Sequence, residues 1–153
     1  MKHPTTRRFA ACLLVAVAML PGIASISAMD LKNLRCEYRE NPLGIDAEKP
    51  RLSWVIDGRD QRSEVRGQKQ SAYQVLVATT PELVAKDQGD LWDSGKVASD
   101  QSIQVEYAGK PLASRMVCHW KVRVWLAAPK LPGEGGGKDG KASDWSKPAL
   151  WSM

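Results

Sequence analysis

The chain has 153 residues, 22 Lys+Arg against 17 Asp+Glu and a formal charge of +5, but three of the basic residues and no acidic one fall before residue 29. The 125 residues that remain hold 19 basic and 17 acidic side chains, interspersed, which excludes the basic stripe that nucleic acid or an anionic membrane would require. They suffice for one core and are short for most enzymes.

Lys2, Arg7 and Arg8 precede an unbroken apolar run of twelve residues from Phe9 to Leu20, and Pro21-Gly22 breaks it ahead of Ala24, Ser25, Ser27 and Ala28. This is the pattern of a signal peptide over residues 1–28. The run falls short of the roughly 20 apolar residues of a membrane-spanning helix. We expect cleavage after Ala28, with Ser25 and Ser27 as nearby alternatives. Because Phe9 follows Arg7-Arg8 directly, the general secretory route is expected over the twin-arginine one. The product would be periplasmic or extracellular, and not membrane-bound once the leader is removed.

From residue 29 onward, alternation of apolar and polar residues predicts strands. Leu34-Arg35-Cys36-Glu37-Tyr38 is the first, with Leu34, Cys36 and Tyr38 inward. Asn41-Pro42-Leu43-Gly44-Ile45-Asp46 turns the chain, and Pro50 opens a second strand from Arg51 to Ile56. Residues 57 to 70 are polar, carry both signs of charge and predict a loop. Ala72 to Ala78 is nearly continuously apolar and predicts a central strand. Thr80-Pro81-Glu82 combines a capping hydroxyl, proline at the first helical position and an acid in the first turn, so one short helix is expected near 80–87. Leu91 to Val97 gives a short fourth strand ending near Gly95, and alternating Ile103, Val105 and Tyr107 give a fifth. Gly95 and Gly109 read as turn residues.

Met116-Val117-Cys118-His119-Trp120-Lys121-Val122-Arg123-Val124-Trp125 is the clearest signal: Cys118, Trp120, Val122 and Val124 share one face, and His119, Lys121 and Arg123 the other. Residues 127 to 142, rich in Pro, Gly and Lys, predict an enlarged loop insert with no strand. A seventh strand is expected around Trp145 to Trp151. About seven short strands and one brief helix predict an all-β fold, a two-sheet antiparallel sandwich of immunoglobulin or fibronectin type III kind over residues 29–153.

Chemistry is sparse. His119 is the one histidine beyond the leader; alone it builds neither a metal site, which takes three or four ligands, nor a Ser–His–Asp set. No pair of carboxylates is singled out by spacing. The Gly133 to Gly140 segment lacks the Gly-Lys-Ser/Thr ending of a phosphate loop. The sequence thus indicates no catalytic residue, no metal site and no cofactor. Cys36 and Cys118 both lie on apolar strand positions; a bridge across the sandwich is one reading in an oxidising compartment, and two separate buried thiols are the other. Tryptophan is enriched, with six in the chain. Trp54 and Trp120 have inward parity. Trp125 stands on the other parity beside the insert and is the candidate for contact with a sugar ring, although packing beneath the loop is the favoured explanation.

Several blocks, in order, resemble the N-terminal domain of bacterial α-L-rhamnosidases of glycoside hydrolase family 78. They are Leu34-Arg35-Cys36-Glu37-Tyr38, Glu40-Asn41-Pro42-Leu43-Gly44-Ile45-Asp46, Lys49-Pro50-Arg51-Leu52-Ser53-Trp54, Gln70-Ser71-Ala72-Tyr73, Leu91-Trp92-Asp93-Ser94-Gly95-Lys96-Val97 and Ser143-Asp144-Trp145-Ser146. The resemblance covers nearly all of residues 31–153 and implies a β-sandwich ahead of further β-domains and an (α/α)6 barrel. It also implies that the acidic catalytic residues lie in that barrel, which has no counterpart in this chain. The insert at 127–142 departs from the family, which usually has a short turn there. The expected function is therefore an exported, non-catalytic accessory module of an α-L-rhamnosidase, present as a truncated or split product. Its partners would be neighbouring domains and, in a second reading as a free-standing carbohydrate-binding module, rhamnosylated glycans.

Overall fold

The structure, a computed structural model, describes residues 30–57, 69–127 and 139–153. The expected leader lies outside them, as do most of the 57–70 loop and much of the 127–142 insert. Eight strands and one helix follow in order: β1 (Asp30–Cys36), β2 (Arg51–Asp57), β3 (Gln70–Ala78), α1 (Pro81–Ala85), β4 (Trp92–Asp93), β5 (Val105–Glu106), β6 (Val117–Ala127), β7 (Asp139–Ala142) and β8 (Ala149–Ser152). β1, β2 and β5 make a three-stranded sheet in the order β1-β2-β5, and the other five make a second sheet ordered β4-β3-β6-β7, with β8 also on β6. Every strand pair is antiparallel. This is the two-sheet sandwich that the alternation predicts.

The long strand behaves as its pattern demands. Cys118, Trp120, Val122 and Val124 of β6 are fully buried in the core. They meet Tyr73, Val75 and Val77 of the adjoining β3, together with Leu31, Cys36, Leu52, Trp54 and Val105 from the facing sheet. Aromatic rings meet edge to face, Trp54 on Tyr73 at 5.3 Å and Tyr107 between Trp92 and Trp151 at 5.4 and 6.1 Å. Such contacts add about 0.5–1.5 kcal/mol each beyond the area they bury.

Buried polarity is concentrated at Gln70. Its Oε1 accepts from Trp54 Nε1 at 3.1 Å, and its Nε2 donates to the carbonyls of Ser99 and Gln101 at 3.0 and 2.8 Å. One side chain thus satisfies the indole at the centre of the smaller sheet and fixes the segment leading to β5. Gly109 is needed for closeness: a Cβ there would lie 2.5 Å from the carbonyl oxygen of Leu91 and from the hydroxyl of Tyr107. The helix forms where expected, with Thr80 Oγ1 accepting from the Leu83 amide, Pro81 in the first turn and Val84 buried.

Some local expectations are corrected. Tyr38, expected inward, is 55% exposed. β1 ends at Cys36, because Glu37 and Tyr38 both take left-handed φ values of 47° and 66° in a tight turn closed by reciprocal bonds between Cys36 and Arg39. Two positive φ values in succession reverse the chain and swing Tyr38 out of the pleat. Ile103, expected to share a face with Val105, is 62% exposed, since Gln104 at φ 57° breaks the alternation between them. The insert does hold a strand: β7 pairs with the end of β6, Ala127 opposite Asp139 and Trp125 opposite Ala142. The open edge of β6 supplies what the poor β-formers of β7 lack.

Replacing Gln70 by Leu keeps the volume but strands the buried Trp54 N–H. We expect a loss of roughly 1–3 kcal/mol, read from urea unfolding; an unchanged midpoint would show that the Gln70 bridge is dispensable.

Candidate functional site

Above the outer face of the larger sheet, cations and indoles are layered. Trp145 lies over the Arg123 guanidinium at 4.5 Å and over Lys121 Nζ at 4.9 Å. The ring of Trp125 takes Arg123 at 5.2 Å and Lys96 at 5.0 Å. Arg123 Nε donates to Gln74 Oε1 at 2.9 Å, and Gln74 Nε2 donates to Asp93 Oδ1 at 2.7 Å. Lys121 is nearly buried, its ammonium donating to the Val84 carbonyl and to Asp87 just beyond α1.

Trp145 is held in place by the serines that bracket it. The Val124 amide donates to Ser143 Oγ at 3.0 Å and the Ser143 amide returns a bond to the Val124 carbonyl at 2.8 Å. Ser146 repeats the arrangement on Val122, at 3.1 and 2.8 Å. Side-chain oxygens thus continue the ladder between β7 and β8, where the Ser143-Asp144-Trp145-Ser146 block would otherwise leave β6 unpaired.

Trp125 is therefore half-buried, with its π-surface already engaged by two cations, and Trp54, Trp120 and Trp151 are buried. His119 stands on the outward parity of β6, opposite Ala78 and Leu150. Among the described residues, no group of three or more His, Cys, Asp or Glu is placed to hold a metal ion. Cys36 and Cys118 both lie buried in the core cluster as free thiols. Burial pushes Cys36 up to about 12 and Cys118 up to about 11.

Among the described residues the exposed aromatic is Tyr38, which the alternation placed in the core. Its hydroxyl accepts a bond from Gln104, and the Arg51 guanidinium lies 5.3 Å from its ring. Arg51 is itself fixed by Glu37: Nη2 reaches Oε2 at 2.7 Å, while Nε and the backbone N–H reach Oε1 at 3.1 and 2.7 Å. These bonds hold the Glu37 carboxyl below its ordinary range. Tyr38 borders a groove of about 380 Å³ on the outer face of the smaller sheet, lined also by Asn33, Arg35, Val55 and Ile103. No sequence signal marks the turn; its two residues are neither Gly nor Asn.

The turn between β1 and β2 grips the last strand. Asn41 Oδ1 accepts from the Leu150 amide at 2.9 Å and the Pro42 carbonyl from the Ser152 amide at 3.1 Å. Gly44 N donates to Ser152 Oγ at 3.0 Å and Ile45 N to the Ser152 carbonyl at 2.8 Å. Ser152 is thereby held between this turn and Val117, its partner on β6.

The profile of the Rha78A-like N-terminal immunoglobulin domain matches residues 31–153. An α-L-rhamnosidase of Streptomyces avermitilis is 44% identical over 126 residues, which cover 82% of this chain and 10% of that enzyme. One from Formosa agariphila is 32% identical over 127 residues, covering 83% of this chain and 12% of that protein. The crystal structure of the S. avermitilis α-L-rhamnosidase complexed with L-rhamnose matches with a TM-score of 0.64 at 42% identity, over 81% of this chain and 10% of that one. The Dictyoglumus thermophilum α-L-rhamnosidase gives the same TM-score at 32% identity, over 80% of this chain and 12% of that one. The chain thus spans about a tenth of the length of these relatives.

With both thiols buried and protonated at neutral pH, an alkylating reagent should label neither Cys36 nor Cys118 in the folded protein and both after denaturation without reductant; mass spectrometry reads the result. Zero labels after denaturation would reveal a bridge. For Glu37 the lowered carboxyl means a contribution to stability that is complete above the unfolded value of about 4.3 and is lost as pH falls through the folded value. Thermal unfolding of the Glu37→Gln variant should therefore fall less steeply on acidification than that of the parent, and parallel curves would contradict this.

Proposed function

Since this chain belongs to the Rha78A-like N-terminal immunoglobulin domain family, we propose that it serves as the exported, non-catalytic first module of an α-L-rhamnosidase, packing against neighbouring domains and holding their arrangement. The observation that carries the reading is proportion: the matched domain is the whole sandwich, yet only 10% of the S. avermitilis enzyme. Hydrolysis of terminal α-L-rhamnosides would then be the work of the remaining polypeptide. Export rests on the basic start, the apolar run and the small residues ending at Ala28.

A second reading, glycan binding by this module, is favoured by Tyr38. An exposed ring fixed from two sides, above a groove with Asn33 and Arg35 on its rim, has the chemistry to stack on a sugar and bond its hydroxyls.

The purified chain should release no nitrophenol from an aryl α-L-rhamnoside above the blank, and a product secreted by its host should begin at Met29 by mass. Turnover by the chain alone would refute the non-catalytic assignment. Titration with L-rhamnose to millimolar concentration tests the second reading; amide shifts around Tyr38 that vanish in Tyr38→Ala would support it.

A further inference from the structure

The turn that clamps β8 also carries the most exposed large apolar side chain of the described residues, Leu43 at 77%, with Val117 at 43% on the other side of Ser152. An apolar side chain at a turn tip is ordinarily a matter of chance on a surface. Here the turn is anything but loose. Four hydrogen bonds pin Asn41, Pro42, Gly44 and Ile45 to Leu150 and Ser152, and Asn41 and Gly44 take left-handed φ values of 46° and 71° to make the geometry. Ser152 and Met153 are tied in turn to β6 and to the segment before it, since the Met153 amide donates to the Met116 carbonyl at 2.9 Å and the Arg115 amide to the Met153 carbonyl at 3.2 Å. The result is a rigid rim with an apolar group on each side of the place where β8 ends.

We infer that Leu43 and Val117 form the seat for the polypeptide segment that follows β8, the beginning of the next domain of the same chain. The inference rests on the reading of this chain as the first module of a rhamnosidase. The matched family is an N-terminal domain and the matched region is a tenth of the relatives' length, so in those enzymes the bulk of the chain continues from the strand equivalent to β8. A segment tethered at β8 meets the rim at high effective concentration, so even a small apolar contact would be populated. The occupant must be apolar where it meets Leu43 and Val117, and the rigid clamp spares it the entropy of ordering a mobile turn. The seat would set the angle at which the next domain leaves the sandwich.

The test is a chimera in which residues 29–153 replace the matched domain of the S. avermitilis enzyme, compared with the chain alone by hydrogen–deuterium exchange. The amides of Gly44 and Ile45 should exchange at least about tenfold more slowly in the chimera. The Leu43→Asp and Val117→Asp double variant should abolish that extra protection while leaving the Tm of the isolated chain within about 3 °C, as expected for exposed positions. A chimera that unfolds as one unit, but in which these amides exchange as in the isolated chain, would overturn the seat and leave the module reading intact. Two parts that unfold independently in the parental chimera would overturn both. Protection that appears in the isolated chain only at high concentration would assign the rim to a second copy and likewise overturn the proposal.

Discussion

Both edges of β6 are used along nearly its whole length, and the larger sheet depends on that constraint. On one side β3 pairs with it from Gln70 to Ala78. On the other, β7, Ser143, Ser146 and β8 share the edge in succession. A strand hydrogen-bonded on both edges and buried on one face must have a fixed register, because a slip of one residue would carry Trp120 to the outside and Lys121 to the core. The two serines matter for the same reason. They satisfy β6 where the chain has left regular strand geometry to place Trp145, and they allow four short segments to act as one edge.

The two outer faces of the sandwich differ as a result. The larger sheet is roofed by α1 and by the layered Trp145, Arg123, Trp125 and Lys121, so its polar face is covered by its own chain. Each cation–indole contact contributes on the order of 0.5–2 kcal/mol depending on desolvation, and nearly buried Lys121 stands at the favourable end. Among the described residues, none roofs the smaller sheet in this way. There the turn at Glu37 and Tyr38 holds two non-glycine residues in the left-handed region, at about 1–3 kcal/mol each. The bidentate Glu37–Arg51 pair holds that turn in place, although solvent screens the attraction because Arg51 is partly exposed. Among the described residues, the exposed large apolar side chains therefore fall on the smaller sheet and its turns and at the β8 rim.

The fold class was legible because β6, β3 and the capped helix express their geometry in local patterns: period two for one half-buried strand, continuous apolarity for a central one, Thr-Pro-Glu for a helix start. The chain's membership could be read from ordered blocks, and the structure gives those blocks physical roles. Asn41 to Ile45 is a clamp, Ser143 to Ser146 a patch in the ladder, Gln70 a bridge to Trp54. What escaped was decided by backbone hand and by distant partners. Tyr38 and Ile103 sit on the correct parity for burial, and only the left-handed residues at Glu37, Tyr38 and Gln104 turn them outward. β7 has no strand signature of its own and exists because β6 offers it an edge. Parity marked Trp125 as a candidate for sugar contact or for packing, but it says nothing of Lys96, which is distant in sequence and packs on its ring.

The position of β8 in the chain has a consequence for the order of events. Ala149–Ser152 occupies the edge of β6 and places Trp151 against Trp120 and Tyr107, so the sandwich lacks both a core indole and its final hydrogen-bonded border until these residues have been made. Synthesis proceeds from the N-terminus, and domains generally fold as units while the chain grows. Completion of this domain is thus timed to its last few residues, and the same strand that closes the sandwich is the one from which any following sequence must start. A chain built this way cannot close its core until its final strand has been made.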